Sequence, residues 1–291
     1  MIRTCALACL LFLAGTLVLA DLASAQTSGV ERADTVYQVR LSDGSTVYGT
    51  IESRTPELIV LVTTGGVRME LRPEQVRYVR AARGRVVRGE YWPPDPNKTR
   101  LFFGPTGRSI GAGQGYIGTF FIALPFVAYG IGERVTLAGG VPILFGRIQP
   151  FYVAPKVEVI TATDVRVAVG VLSVWSWDDA DFDDIRFGVG FAVGTFGDTE
   201  NAVTLGIGFG YAGDDVSGKP AFMLGGETRV SHRIKFITEN YFVSGHNGGL
   251  VSGGIRVLGE RLSVDVGMGA AVGEGSGCCA PIVNFAYSFG R

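Results

Sequence analysis

The sequence predicts an all-β protein, an antiparallel transmembrane β-barrel of about 12 strands preceded by a small five-stranded barrel. Three observations carry this. From Thr99 onward large apolar residues alternate with small or polar ones at a period of two, the signature of strands rather than helices. Short and long connections alternate between those strands, as they do in outer-membrane barrels. The chain is 47% hydrophobic and only 18% charged, with a mean hydropathy of +0.29, yet after its first residues it holds no apolar run of the roughly 18–20 residues that a spanning helix needs. If such a chain enters a membrane, it does so as strands.

The N-terminus reads as a secretory signal peptide over residues 1–25: Arg3 gives the basic start, Leu7 to Ala20 the apolar stretch, and Ala23-Ser24-Ala25 the small-residue cleavage site. Export follows, but no disulfide framework does, because only the adjacent pair Cys278 and Cys279 remains after removal of that segment. Residues 34–81 read as a compact series of short strands. Asp43-Gly44 and Gly65-Gly66 supply tight turns and Thr55-Pro56 breaks a run. With Leu41-Ser-Asp-Gly-Ser, Gly49, Ile59-Val-Leu-Val-Thr and Gly66-Val-Arg-Met-Glu-Leu, this stretch resembles the Sm-like (SH3-type) barrel over roughly 45 residues. The resemblance implies a recognition module. Members of that family bind RNA, whereas export and a formal net charge of −1 without a basic patch argue against nucleic acid here. Residues 82–98 read as a linker, because Tyr91-Trp92-Pro-Pro-Asp-Pro cannot continue a ladder; Arg83, Arg85 and Arg88 beside Tyr91 and Trp92 also suit a lipid headgroup interface.

Residues 99–291 are the expected membrane barrel. In 202–211, Val203, Leu205, Ile207, Phe209 and Tyr211 alternate with Thr204, Gly206, Gly208 and Gly210. Ile185, Phe187, Val189, Phe191 and Val193 alternate with Arg186 and glycines, and Leu262, Val264, Val266 and Met268 with Ser263, Asp265 and Gly267. A sandwich would show Lys, Glu or Thr on its wet face rather than repeated glycine. In a membrane barrel the large set meets lipid and the small set leaves room inside. Strands are expected near 115–129, 134–144, 151–160, 165–177, 185–197, 201–213, 220–231, 234–245, 250–259, 262–272 and 281–291. Bacterial single-chain barrels have even strand numbers, so a further strand is required, and Arg100 to Phe103 is the only candidate.

Phe285, Tyr287 and Phe289 share one face of the last strand, similar to the aromatic terminal signal that outer-membrane barrels present to the barrel assembly machinery. Asn97-Lys-Thr-Arg-Leu-Phe-Phe-Gly-Pro-Thr-Gly with Gly113-Gln-Gly-Tyr116 resembles the opening of uncharacterised outer-membrane proteins that carry such an N-terminal domain, a resemblance that implies no activity.

On the presumed interior lie Lys156, Glu158, Arg166, Arg186, Glu227, Arg229, Lys235, Glu239, Arg256 and Asp265. Charges in a low-dielectric wall are paired or wet, so these line either a salt-bridged interior or a lumen selecting small polar solutes; alternatively, the 104–114 segment folds inward to fill it. Catalysis is not expected. The chain has two histidines, and only His246 has a serine nearby, Ser244, which would have to face lipid with it in a barrel enzyme acting on lipid. No metal set is evident, and the acidic loop Asp178–Asp184 lacks the glycine and final Glu of an EF-hand. The expected function is a narrow passive pore or a structural envelope protein, not an enzyme, with no cofactor. Its partners are outer-membrane lipid and an unknown periplasmic partner of the small domain. A soluble periplasmic β protein is the remaining alternative.

Overall fold

The computed structural model describes residues 35–141, 150–178, 182–273 and 279–290; the expected signal peptide and Cys278 lie outside these, as do the side chains of the acidic loop. Strands β1 (Val36–Leu41), β2 (Thr46–Arg54), β3 (Ile59–Thr63), β4 (Arg68–Leu71) and β5 (Val76–Ala81) form an antiparallel sheet in the order β4-β3-β2-β1-β5. Its core is Val39, Ile51, Ile59, Leu61 and Leu71, the inward positions of alternating strands. The stretch expected as a linker holds a hairpin of β6 (Arg85–Val87) and β7 (Glu90–Trp92), turning through Arg88 and Gly89, both at positive φ as a two-residue hairpin demands.

The rest is a closed antiparallel barrel: β8 (Gln114–Phe120), β9 (Leu124–Ile131), β10 (Val135–Gly140), β11 (Phe151–Thr161), β12 (Val165–Asp178), β13 (Phe182–Gly197), β14 (Asn201–Ala212), β15 (Asp215–Arg229), β16 (Ile234–Val243), β17 (Gly248–Leu258), β18 (Leu262–Gly273) and β19 (Ala280–Gly290). Pairing of β8 with β19, from Gln114↔Gly290 to Phe120↔Asn284, closes it. Closure removes the open edges that a lipid environment does not tolerate.

The strand number is that expected, but two strands differ. The required extra strand is not Arg100 to Phe103, whose backbone is irregular with a lone bridge from Arg100 to Pro105. Leu101 and Phe102 are both fully buried, so this segment has no lipid face and no alternation to present. Instead the single strand expected over 115–129 is the hairpin β8–β9. Its turn runs through Phe121 and Ile122 at positive φ, residues that carry no turn chemistry of their own. The long connection expected at 213–220 is mostly strand, since β15 begins at Asp215.

On β14 and β18 the large apolar residues face outward: Val203, Leu205, Ile207 and Phe209, then Leu262, Val266 and Met268, are 40–50% exposed on the outer wall. On β13 the phase is the reverse of the expected one. Val193 is buried with Ala168 and Met223, Phe191 packs against them, and Gly190 and Gly194 take the outward positions, while Phe187 near the long-loop end of the strand is 45% exposed.

Candidate functional site: a plugged lumen

Residues 93–113 leave the β6–β7 hairpin, enter the barrel and join β8, so the chain occupies its own lumen. An irregular segment has no ladder for its backbone groups, and in a dry interior each must find a partner. The wall supplies them. Arg256, fully buried on β17, donates from Nη1 to the carbonyls of Asn97 at 2.8 Å and Arg100 at 3.3 Å, and from Nη2 to that of Leu101 at 2.6 Å. Its Nε lies 2.6 Å from Asp265. Glu239 accepts from the amides of Phe103 and Gly104, each at 3.1 Å, and from the Tyr241 hydroxyl at 2.7 Å. Lys156 spends its three protons on the carbonyls of Thr99, Thr106 and Arg108 at 3.3, 2.8 and 2.7 Å. Thr195 and Thr136 accept from the amides of Gly107 and Ile110.

Ion pairs complete the arrangement. Lys235 bridges Asp95 at 2.6 Å and Glu227 at 2.9 Å, and Arg108 of the plug also pairs with Glu227. Arg229 donates to the Pro93 carbonyl at 2.7 Å and pairs with Glu200 at 3.1 Å. Glu158 accepts from the Ser109 amide at 2.8 Å and from Arg166 at 3.0 Å. The buried cations Arg100, Arg108, Lys156, Arg229, Lys235 and Arg256 thus face the buried carboxylates Asp95, Glu158, Glu200, Glu227, Glu239 and Asp265. Such pairs contribute little net stability, but breaking one is costly, so they fix where the plug sits. Glycine in the wall makes room for it. A Cβ at Gly225 would lie 2.0 Å from the Leu101 side chain, and one at Gly130 would lie 1.9 Å from the Gly111 carbonyl.

The structure therefore gathers Lys156, Glu158, Glu227, Arg229, Lys235, Glu239, Arg256 and Asp265 around one segment, with Arg166 half-exposed at its edge. Arg186 is a correction. It is exposed at the long-loop rim, 3.7 Å from Asp214, because the inverted phase of β13 turns even positions outward. Phe285, Tyr287 and Phe289 are exposed on the outer face of β19. His232 meets Glu90 at 2.8 Å at the short-turn end, and no hydrogen bond joins the side chains of Ser244 and His246 among the described residues. Sequence reasoning missed Asp95, Arg100 and Arg108. Asp95 sat in the stretch read as linker and Arg100 in the one read as strand, while Arg108 lay in the 104–114 segment, whose inward folding was expected without a charge being named on it.

Polarity divides the lumen. The charges lie toward the short-turn end, while toward the long-loop end strands β8 to β13 line an apolar cavity of about 410 Å³. A second cavity of about 570 Å³ opens at the short-turn end, between the small sheet and the barrel. Thr99 and Tyr116 border both, and their hydroxyls are 2.8 Å apart. The small sheet meets the barrel at Glu260 of the β17–β18 turn, which accepts from Gln38 at 2.8 Å and Tyr48 at 2.7 Å.

No family model matches the sequence, and no curated protein does. Among solved structures the chain is similar to OmpTdeltaL8, a loop L8 deletion mutant of OmpT, an outer membrane protein of Vibrio cholerae (13% identity, TM-score 0.37, covering 88% of this chain and 96% of that one). Outer-membrane expressed OmpT of Vibrio cholerae matches at 12% identity and TM-score 0.32, over 87% and 93% of the two chains. OccK11 (OpdR) of Pseudomonas aeruginosa matches at 12% and 0.35, over 88% and 94%. This chain is a closed antiparallel β-barrel of twelve strands with a separate five-stranded sheet ahead of it. Nothing in these likenesses supports the expectation of a chain without enzymatic activity, which is not retained.

Proposed function

We propose that the chain is a structural envelope protein: an outer-membrane barrel closed at rest by its own 93–113 segment, holding a small β-domain at its periplasmic mouth. The observation that carries this is the commitment of the lumen charges. Arg256, Lys156 and Glu239 spend their hydrogen-bonding capacity on the plug backbone, so these side chains are not free to line an aqueous column. Short turns face the periplasm in barrels of this type, which supports a periplasmic position for the small sheet at Glu260. Its strand order, and the register shift between Ile51 and Ser53 that bends β2, support the Sm-like reading for residues 34–81. In this reading residues 1–25 direct export, residues 82–98 lead from the sheet into the lumen, and the aromatic face of β19 engages the assembly machinery. The sheet itself awaits a periplasmic partner.

A narrow passive pore is the second reading, favoured by the two cavities that meet at Thr99 and Tyr116. Planar-bilayer recording separates them. The intact chain is expected to give no steady current. Steady current through correctly folded protein would overturn the closed reading, and current appearing only in Tyr116→Ala would establish the pore with its constriction at that contact.

A further inference from the structure

The apolar cavity at the long-loop end is built around one unsatisfied cation. Phe120, Phe126, Tyr152, Leu172, Val174 and Phe191 form its sides, and Arg100 and Lys156 lie at its charged end. No carboxylate lines it among the described residues. The two cations are not equivalent. Lys156 donates all three protons to plug carbonyls, whereas Arg100 uses only Nη1, toward the carbonyls of Leu101 and Phe102 and toward Asp265. Its Nε and Nη2 are buried without a partner, although the residue is only 4% exposed.

Buried guanidinium N–H groups rarely go unpaired, and each one left so is costly. Nε and Nη2 form the side edge of the guanidinium, two parallel donors spaced for the two oxygens of a carboxylate. Phe120 and Phe126 cover the guanidinium with ring centroids 4.9 and 5.2 Å from Cζ, which holds the plane in place and leaves its edge as the direction of approach. Arg100 lines a cavity whose other walls are mostly aromatic and aliphatic side chains, and empty apolar space of this size gains from being filled by hydrocarbon.

We propose that this cavity binds a single-chain amphiphilic carboxylate, its head on the Nε/Nη2 edge of Arg100 and its hydrocarbon tail among Phe120, Phe126, Tyr152, Leu172, Val174 and Phe191. At about 410 Å³ the cavity falls near the lower end of ligand sites, which run from about 300 to 1,000 Å³, so it suits one chain rather than a two-chain phospholipid. Phe120, Leu124 and Phe151 stand at the long-loop ends of their strands, so the tail extends toward that mouth. The inference does not depend on whether the Thr99–Tyr116 contact opens.

The test uses the full folded chain in detergent and dodecanoic acid carrying a photoreactive diazirine on its tail. Photolysis followed by peptide mapping is expected to label β12 and β13 at Leu172, Val174 or Phe191. Unlabelled dodecanoate is expected to compete at least tenfold better than dodecanol, which has the tail without the charge. Arg100→Met should weaken labelling at least tenfold. Because that variant also loses plug contacts, Ala154→Trp serves as the second: it fills the cavity from β11 without touching Arg100 and should abolish labelling while heat-modifiable gel mobility stays that of the parent. Labelling confined to outward residues such as Val169 or Leu205, equal competition by dodecanol, stronger competition by dodecyl phosphate than by dodecanoate, or full labelling of Ala154→Trp would each overturn the proposal.

Discussion

Replacing Arg256 by Met tests whether wall charges hold the plug. The thioether chain keeps most of the volume but removes every donor: the two bonds to Asp265, at 2.6 and 3.1 Å, and those to the carbonyls of Asn97, Arg100 and Leu101. Asp265 keeps only Arg100, at 3.3 Å. Deleting one partner of a buried pair costs about 3–5 kcal/mol, and each carbonyl left without a donor adds about 1–3 kcal/mol until water reaches it. The strand ladders are untouched, so this cost falls on the packed position of the plug rather than on the barrel. At about 1.4 kcal/mol per factor of ten, even 3 kcal/mol speeds local opening roughly a hundredfold. The assay is amide hydrogen exchange, by mass spectrometry, over the peptide spanning 97–108. Protection there is expected to fall about a hundredfold or more in Arg256→Met, while β14 and β18 stay protected, and Asp265→Leu added to it should restore part of the loss by removing the stranded carboxylate. Unchanged protection across 97–108 in a folded Arg256→Met barrel would refute the reasoning.

Three further outcomes follow from named contacts. Ile122 is β-branched at a φ of 66°, a conformation that costs an L-residue about 1–2 kcal/mol, so Ile122→Gly should raise the urea midpoint of unfolding by a corresponding amount. Leu101→Ala leaves a hole beside Gly225 and should destabilise by about 2–5 kcal/mol; Gly225→Ala in the parent overpacks at about 1–3 kcal/mol, yet in the Leu101→Ala background it should stabilise, a sign reversal that a double-mutant cycle reads directly. Burial, followed by the hydrogen bond to Glu260, pushes the Tyr48 phenol above its ordinary value of about 10. A raised value in the docked state means that docking is complete below about pH 10 and weakens as pH rises through the raised value. Cross-linking yield between the sheet and the β17–β18 turn should follow that course, and Glu260→Ala should lower it at every pH.

Alternation in Val203 to Phe209 and Leu262 to Met268 carries the barrel in plain view, because a residue between lipid and lumen has only two directions to point. A period does not state its phase. Between Ile185 and Val193 both sets are uncharged apart from Arg186, and Phe191 and Val193 turn inward because the lumen there is itself apolar, lined by Leu172, Val174 and Tyr152. Phe121 and Ile122 hid a turn because nothing in Phe-Phe-Ile-Ala-Leu interrupts an apolar run; the ladders on either side force the reversal. The wall charges were legible as interior from their position among outward apolar residues. Their partners were not, since Arg256 is matched to carbonyls of Asn97 and Leu101, and a carbonyl leaves no mark on a sequence.

The seam between β8 and β19 pairs the first residues after the plug with the last strand of the chain. Those contacts are among the most distant in sequence, and contacts of that kind form late. Before the seam closes, the sheet is an open trough into which residues 93–113 can settle sideways. Afterwards the segment is enclosed on all sides and tethered at one end to β8 itself. The order of assembly thus becomes a property of the finished molecule: a plug laid down before closure departs only by threading out of the mouth or by unzipping the seam. How long it stays is therefore set by a barrier to release rather than by affinity alone.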